Sequence, residues 1–486
     1  MTEKKVGWKF DNTYSKLPKN LLTKLRPSPV KEPKIVLFNQ ALSKEIDLDF
    51  SKIDIKELAL IFSGNKLPAG AVSISQAYAG HQFGHFTMLG DGRAHIIGEH
   101  ISKNMRRYDI QFKGSGKTPY SRNADGRAAL GPMLREYLIS ESMHNLGIPT
   151  TRSLAVVETG EKIIREEILE GAVLTRVASS HIRVGTFQYA LISKEKKDLK
   201  TLLDYTIHRH YPQIVNSNNP ALELLKTVSQ KQIELITNWM RVGFVHGVMN
   251  TDNMTVSGET IDYGPCAFMD NYDPKTVFSS IDIQGRYAYF NQPLIAVWNL
   301  ERFAETLISL IDNNQVYAIK KASEIIKHFS DRYQDIWLDM MRKKLGIIGK
   351  NEHDKELIIN LLKWMHEYKV DYTNTFCHLM GKLFFKNKVY ENKKFIIWKK
   401  KWEKRRELNN NNLENSLEMM SKTNPLVIPR NHFVEEALNF ATKNSDLSKI
   451  HNLIKIMENP YNYSNNIENF QKPGNSEKKY TTYCGT

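Results

Sequence analysis

Cysteine is scarce here: three residues, Cys266, Cys377 and Cys484, in a chain of 486. So few cannot build a disulfide framework, and the pattern suggests a reducing, cytosolic setting. None stands in C-x-x-C spacing or in a Cys/His pattern, so no zinc site is expected. No run of about 18 apolar residues occurs, so neither a membrane span nor a membrane partner is expected. Met1-Thr2-Glu3-Lys4-Lys5 leads into Gly7-Trp8-Lys9-Phe10 without an apolar stretch and with an acidic residue at once. That start argues against a signal or transit peptide, and the chain is expected in the cytoplasm. Internal repeats are absent too. Acidic residues are in deficit, 53 against 68 Lys and Arg, for a formal charge of +15. Such an excess invites a nucleic-acid reading. Much of it, however, lies in Lys393-Lys394, Lys399-Lys400-Lys401 and Lys404-Arg405-Arg406, interrupted by Trp398 and Trp402 at helical spacing. A solvated helix with an apolar stripe explains that pattern, so no nucleic-acid partner is expected.

What is present is enough apolar material, 41% with 10% aromatic, for a sizeable core. Residues 1–60 read as an irregular lead-in with one or two short helices. Period-two alternation predicts strands at 93–98, 108–113, 153–157 and 172–176. Between the two pairs, 130–146 reads as a helix closed by Gly147 and Pro149. Beyond about 182 helices are predicted at 199–209, 221–242, 294–312, 317–345, 355–369 and 433–443. The low-complexity run 409–412 reads as an exposed loop. The fold class is therefore α+β. Strands, one helix, then more strands is the order of a protein-kinase N-lobe, so two lobes are expected, the first β-rich and the second mostly helical. The expected divisions are a lead-in at 1–84, an N-lobe at 85–180, a C-lobe at 181–345, and a helical extension with a flexible tail at 346–486.

The richest stretch is His246-Gly247-Val248-Met249-Asn250-Thr251-Asp252-Asn253, followed by Ile261-Asp262-Tyr263-Gly264. Protein kinases hold magnesium on a triphosphate with H-R-D-x-x-x-x-N and then D-F-G. In that register Asn253 and Asp262 are the metal ligands, hard oxygen donors suited to Mg²⁺ or Mn²⁺. The usual catalytic aspartate falls on Val248, which cannot accept a proton. Asp252 is the nearest carboxylate able to replace it. Phe112-Lys113-Gly114-Ser115-Gly116 lacks P-loop spacing. A lysine ending a strand, with Glu136 on the following helix, instead resembles the kinase Lys–Glu pair, and Glu136 suits the spacing better than Glu141. Leu89-Gly90-Asp91-Gly92-Arg93 would bring backbone N–H groups of Gly90 and Gly92 and the Arg93 fork to phosphate. Asp125-Gly126-Arg127 is a turn before the helix, where exposed N–H groups and the helix dipole suit an anion. Arg176 and Arg183 are candidates for multidentate phosphate binding.

Taken together, the motifs resemble the selenoprotein O family, whose bacterial branch is called YdiU. They run along nearly the whole chain: Phe10-Asp11-Asn12-Thr13-Tyr14, Tyr78 to Gly84, Gly90 to Arg93, Gln111 to Gly116, Arg122 to Arg127, Asp262 to Pro265, Ile281 to Tyr287, Asn291 to Pro293 and Trp298 to Leu300. The resemblance implies a kinase-like fold that binds ATP inverted and transfers AMP, not phosphate, to Ser, Thr or Tyr hydroxyls of proteins, releasing pyrophosphate. It also implies nucleotide contacts at Gly90, Gly92, Arg93, Lys113, Asp125, Gly126, Arg176 and Arg183, with Asp262 serving both nucleotide and metal. Asn253 would be the second metal ligand, Asp252 the proton acceptor, and Glu136 the support for Lys113. Eukaryotic members carry selenocysteine near their end, where this chain has Cys484, so it is a cysteine form. A redox pairing of Cys484 with Cys266 is conceivable, although burial of Cys266 as a small apolar residue is favoured. The expected protein is a monomeric protein adenylyltransferase. The alternatives are UMP transfer from UTP, a phosphoryl-transferring kinase, or an inactive nucleotide-binding scaffold.

Overall fold

The structure, a computed structural model, describes residues 6–192, 196–408, 412–463, 467–474 and 480–482. Its N-terminal half is built on an antiparallel sheet. The path strands are β1 (Leu22–Lys24), β2 (Lys34–Phe38), β3 (Ile74–Gln76), β6 (Ala94–Ile101), β7 (Arg107–Lys113), β9 (Arg152–Ile164) and β10 (Ile168–Ala178), ordered β1-β3-β6-β7-β10-β9-β2. A two-residue strand, β8 (Ala128–Ala129), pairs with β10. A separate hairpin, β4 (Ala79–Gln82) and β5 (His85–Met88), projects from the sheet. The 1–60 region holds two short helices, α1 (Gln40–Glu45) and α2 (Ile55–Phe62), as its sequence suggests. It is not otherwise irregular: β1 and β2 form the two edges of the sheet. Strands of three to five residues at an edge carry too little alternation to be seen in sequence.

Period-two alternation decides what faces the cleft. On β7, Ile110 and Phe112 join Val173 and Val177 of β10 in the core beneath α2. The intervening Gln111, Lys113 and Arg176 therefore point to the other face, toward α3 (Leu130–Asn145). Register places Arg176 opposite Gln111 and Leu174 opposite Lys113. The helix α3 is buried nearly all round, polar Glu136, Ser140, Glu141 and Ser142 included, because it is covered by β9 and β10 and by α13 (Asn431–Asn444) and α14 (Ser448–Met457).

The second half is helical: α4 (Val184–Ile192), α5 (Lys196–His210), α6 (Pro220–Val242), α7 (Gln292–Ile311), α8 (Gln315–Lys344), α9 (Asp354–Glu367), α10 (Tyr372–Leu379), α11 (Lys393–Arg406), α12 (Leu413–Thr423) and the short α15 (Ile467–Gln471) besides α13 and α14. On α11, Trp398 and Trp402 are buried while Lys393, Lys394, Lys400 and Lys401 are exposed, the apolar stripe the sequence predicts. Arg405 departs from that pattern, because it is buried against Asp354 at 2.6 Å. Of the low-complexity run, 409–411 lie outside the described residues, and Asn412 caps α12 by accepting from the Asn415 amide. Among the described residues no helix is long and apolar enough to cross a membrane.

Candidate active site

The helix α6 ends at Gly243, whose φ of 72° turns the chain out of the helix, a step only glycine takes without cost. The next two residues form β11 (Phe244–Val245), paired with β12 (Ala267–Phe268). Between those strands the chain makes one excursion, and it carries His246, Asp252, Asn253 and Asp262. His246 is buried and its Nε2 lies 2.9 Å from the Ile261 carbonyl oxygen, tying the loop's two arms together. The Thr251–Asn253 turn follows, and the Asn253 side-chain amide donates to the Val248 carbonyl at 3.0 Å, so its other polar atom, the carbonyl oxygen, is the one that could ligate a metal. Asp262 has a φ of 62°, a left-handed conformation that aspartate tolerates and that aims its carboxylate back across the cleft.

Three cations meet that carboxylate. Lys113 lies 3.2 Å from Oδ1, Arg176 donates to the same oxygen, and Arg183 approaches Oδ2 at 3.4 Å. Behind them Glu136 bonds Lys113 at 2.8 Å and accepts from Arg176 Nε. Glu141 instead pairs with Arg152 at 2.7 Å, so spacing selects the right glutamate. The Glu136 and Arg176 side chains are each 2% exposed, whereas Asp262 keeps 24% toward the cleft. Burial alone would raise the Asp262 carboxyl, yet Arg176, Lys113 and Arg183 hold it well below the usual carboxylate range. The Lys113 ammonium is pushed down by burial and by Arg176, against the pull of Glu136.

Asp252 is different in kind. Its Oδ1 has no hydrogen-bond partner among the described residues, and burial pushes its carboxyl up to about 6, opposed by its own backbone N–H and by Arg183. A carboxylate with an uncommitted oxygen and a pKa near neutrality is suited to taking a proton. Val248, at the kinase base position, is buried.

Several residues that shape the site carry no role in the sequence reading. The β4–β5 hairpin lies on the loop: the His81 amide donates to Thr251 Oγ1 at 2.7 Å and the Phe83 amide to Asn250 Oδ1 at 3.1 Å. Gly80 fits there because a Cβ would stand 2.2 Å from Asp252 Oδ1, and a Cβ on Gly185 of α4 would stand 2.0 Å from the Ala79 carbonyl oxygen and 3.3 Å from Asp252 Cα. An isolated glycine within a strand is the sequence signal for such close approach. Arg183 is stacked on Tyr78, 4.3 Å from the ring centroid, and reaches Asp91 at 3.5 Å.

Two local readings need correction. The Gly92 amide donates to the Gly90 carbonyl at 2.7 Å, and both glycines make room for the Tyr120 turn, with Cβ positions 2.4 and 2.9 Å from it. Their immediate reason is thus packing of that turn on Asp91 and its neighbours, and Gly92 does not hold a free N–H toward the cleft. Asp125-Gly126-Arg127 does precede the helix, but not at its N-terminus, where the helix dipole would act. β8 intervenes, α3 begins at Leu130, and the Asp125 carboxylate is paired with Arg165 at 2.8 Å and with the Arg127 amide at 2.9 Å. Gly126 instead packs its backbone on Gly116, next to the end of β7. Arg93 is half-buried, and its charge helps to lower the Lys113 ammonium. Cys266 is fully buried, and Cys484 lies outside the described residues.

The donor set fits a hard dication that takes most of its ligands elsewhere. Asn253 offers a carbonyl oxygen and Asp262 an ionised carboxylate, and among the described residues no group of three or more His, Cys, Asp or Glu forms a complete cage. Two protein oxygens completed by phosphates and water is the habit of Mg²⁺.

A family model described as protein adenylyltransferase SelO matches residues 5–458. A protein nucleotidyltransferase YdiU of Pelagibacter ubique is 58% identical over 482 residues, covering 99% of this chain and 100% of that protein. The protein of the same name from Nitrosococcus oceani is 56% identical over 487 residues, 100% of this chain and 99% of the relative. That of Brevibacillus brevis is 53% identical over 491 residues, 100% of both.

Proposed function

Because this chain belongs to the SelO family of protein adenylyltransferases and is a nucleotidyltransferase, we propose that it moves AMP from ATP to Ser, Thr or Tyr hydroxyls of proteins. The sheet-based half and the helical half are then the two lobes of a kinase-like fold, with the nucleotide inverted between them. The observation that carries this reading is the division of charge within the site. Three cations, Lys113, Arg176 and Arg183, are gathered around Asp262, while Asp252, its carboxyl raised to about 6, forms an ion pair with none of them among the described residues. Cations committed to one carboxylate, with a second left to take a proton, suit the β- and γ-phosphates as a leaving group, not as the group transferred.

In the step proposed, the acceptor hydroxyl oxygen forms a bond to the α-phosphorus and the bond from that phosphorus to the β-bridging oxygen breaks. The electron pair leaves with pyrophosphate, and the hydroxyl proton passes to Asp252. Lys113, Arg176 and Arg183 neutralise the departing charge, and the fixed geometry of Glu136 behind them keeps the first two from reorganising. Proton transfer to Asp252 is worth about 10²–10⁴-fold. Asn253 and Asp262 would hold Mg²⁺ or Mn²⁺, which supplies further charge neutralisation on the triphosphate.

The relatives' printed name specifies no base, so UTP is the second donor to test. Incubation with ATP labelled at the α or the γ phosphate, and with α-labelled UTP, separates the readings. Label on protein from α-ATP alone supports AMP transfer. Label from γ-ATP means a kinase, label from UTP means UMP transfer, and label from none means a scaffold.

A further inference from the structure

On the helical half, away from the charged cleft, lies a cavity of about 1000 Å³ between α7, α8 and α9. Its walls are largely aromatic, including Tyr272, Tyr289, Phe329, Tyr333, Trp337 and Tyr372. The volume is at the upper end for a ligand site, and folding has left apolar side chains unburied at its mouth: Phe290 is 62% exposed and Leu294 60%. Its lining carries three lysines, Lys275, Lys355 and Lys363, together with His366, and among the described residues no acid. The acid nearest His366, Asp273 at 3.8 Å, already accepts from the Lys275 amide.

The wall nearest the chemistry is shared with the loop that carries Asp252. Tyr287, between the lining residues Gly285 and Ala288, donates to Asn250. Gln292, at the start of α7, accepts from the His246 amide at 3.0 Å and donates to the Phe244 carbonyl at 2.9 Å. The same short segment thus holds the catalytic loop with one side and borders the cavity with the other. A few residues earlier in the same segment Ile281 and Ile283 are also exposed, at 53% and 93%. Exposed apolar residues spaced along one segment, beside a cavity edged by lysines, fit a length of polypeptide better than a compact small molecule.

We infer that this groove docks the acceptor protein, taking a segment that places aromatic or aliphatic side chains among the rings and carboxylates beside Lys355, Lys363 and Lys275. The inference rests on the AMP-transfer reading above for the partner's identity, but not for the binding itself. Apolar anchors in a desolvated pocket supply affinity, and the basic rim supplies selection for acidic flanks. Docking beside the catalytic loop lets the hydroxyl be chosen by proximity, with little demand on the sequence around it.

A random twelve-residue peptide library selected on the full chain tests it. Enriched peptides should pair at least two large apolar residues with Asp or Glu. They should bind the double variant Leu294→Asp, Lys363→Glu at least about tenfold more weakly, because an anchor is lost and a rim charge reversed. Ile164→Asp, at an exposed apolar site on β9, should leave binding unchanged. Grafted onto a serine-bearing acceptor, the best peptide should lower KM about tenfold at constant kcat, and only in the chain with an intact groove. Enriched peptides without acids, equal binding to the double variant, or an unmoved KM would each overturn the proposal. So would laurate binding the groove where no peptide does. If no acceptor is labelled from any nucleotide, the activity reading fails, while the library result still decides whether the groove takes acidic, apolar peptides.

Discussion

One methyl group on Gly80 probes whether the placement of Asp252 governs turnover. Gly80 lies in β4 with ordinary strand dihedrals, so alanine there carries no backbone strain. Its Cβ, however, would stand 2.2 Å from Asp252 Oδ1 and 2.7 Å from Cγ. A carbon–oxygen contact needs about 3.3 Å, so roughly 1 Å must be found. The backbone around Asp252 has little slack, because a Cβ on Gly185 of α4 would stand 2.0 Å from the Ala79 carbonyl oxygen and 3.3 Å from Asp252 Cα. The carboxylate therefore swings or the hairpin lifts. A misplacement of about 1 Å costs on the order of 10²-fold in rate, or about 2.7 kcal/mol of barrier. The cations around Asp262 are untouched, so nucleotide affinity should hold. Overpacking of about 1–3 kcal/mol is partly offset by the stiffer unfolded chain. Initial rates with α-labelled ATP, set beside calorimetric nucleotide binding, give the two quantities separately. Gly80→Ala turning over like the wild type would refute the role given to Asp252, and so would a parallel loss of binding and rate.

Three further outcomes are expected. Glu136→Gln removes one of the two carboxylates that Lys113 and Arg176 share, Asp262 being the other, so urea unfolding should show a loss below the about 3–5 kcal/mol of a buried charge left wholly unpaired; saturating nucleotide should recover part of that, and equal losses with and without ATP would refute the cause. Tyr78→Leu keeps the apolar volume but removes the ring beneath Arg183, so KM for ATP should rise several-fold, for about 1 kcal/mol, while kcat stays put; an unmoved KM would show the stack to be idle. Burial holds His210 at about 3 and His95 at about 4, both below the unfolded value. Depressed folded pKa values favour proton uptake by the unfolded chain, so stability is full above about pH 6.5 and falls below it, by about 2 kcal/mol per histidine at pH 5. Thermal melts of His210→Gln should show a shallower acid limb, and an identical limb would remove this histidine from the account.

The core strands and long helices were legible because their periodicity is uninterrupted: β7 and β10 alternate over enough residues to send Lys113 and Arg176 to one face. That Asp252, Asn253 and Asp262 share one loop was legible because they lie within a dozen residues of one another in the chain. What sequence hides is whatever depends on two distant segments meeting. The edge strands β1 and β2 are too short to show a period. Gly80 matters only because the hairpin folds onto Thr251 and Asn250, and Asp91 only because Arg183 arrives from beyond β10. Asp125-Gly126-Arg127 misled for the same reason, since β8 owes its existence to β10 and not to its own two alanines.

The acidic side chains of Glu136 and Asp262 hold the positive groups that, on the proposed reading, a polyphosphate would engage. A departing pyrophosphate would then meet internal competition: the same two carboxylates would reclaim Lys113, Arg176 and Arg183, favouring product escape over poisoning by the by-product.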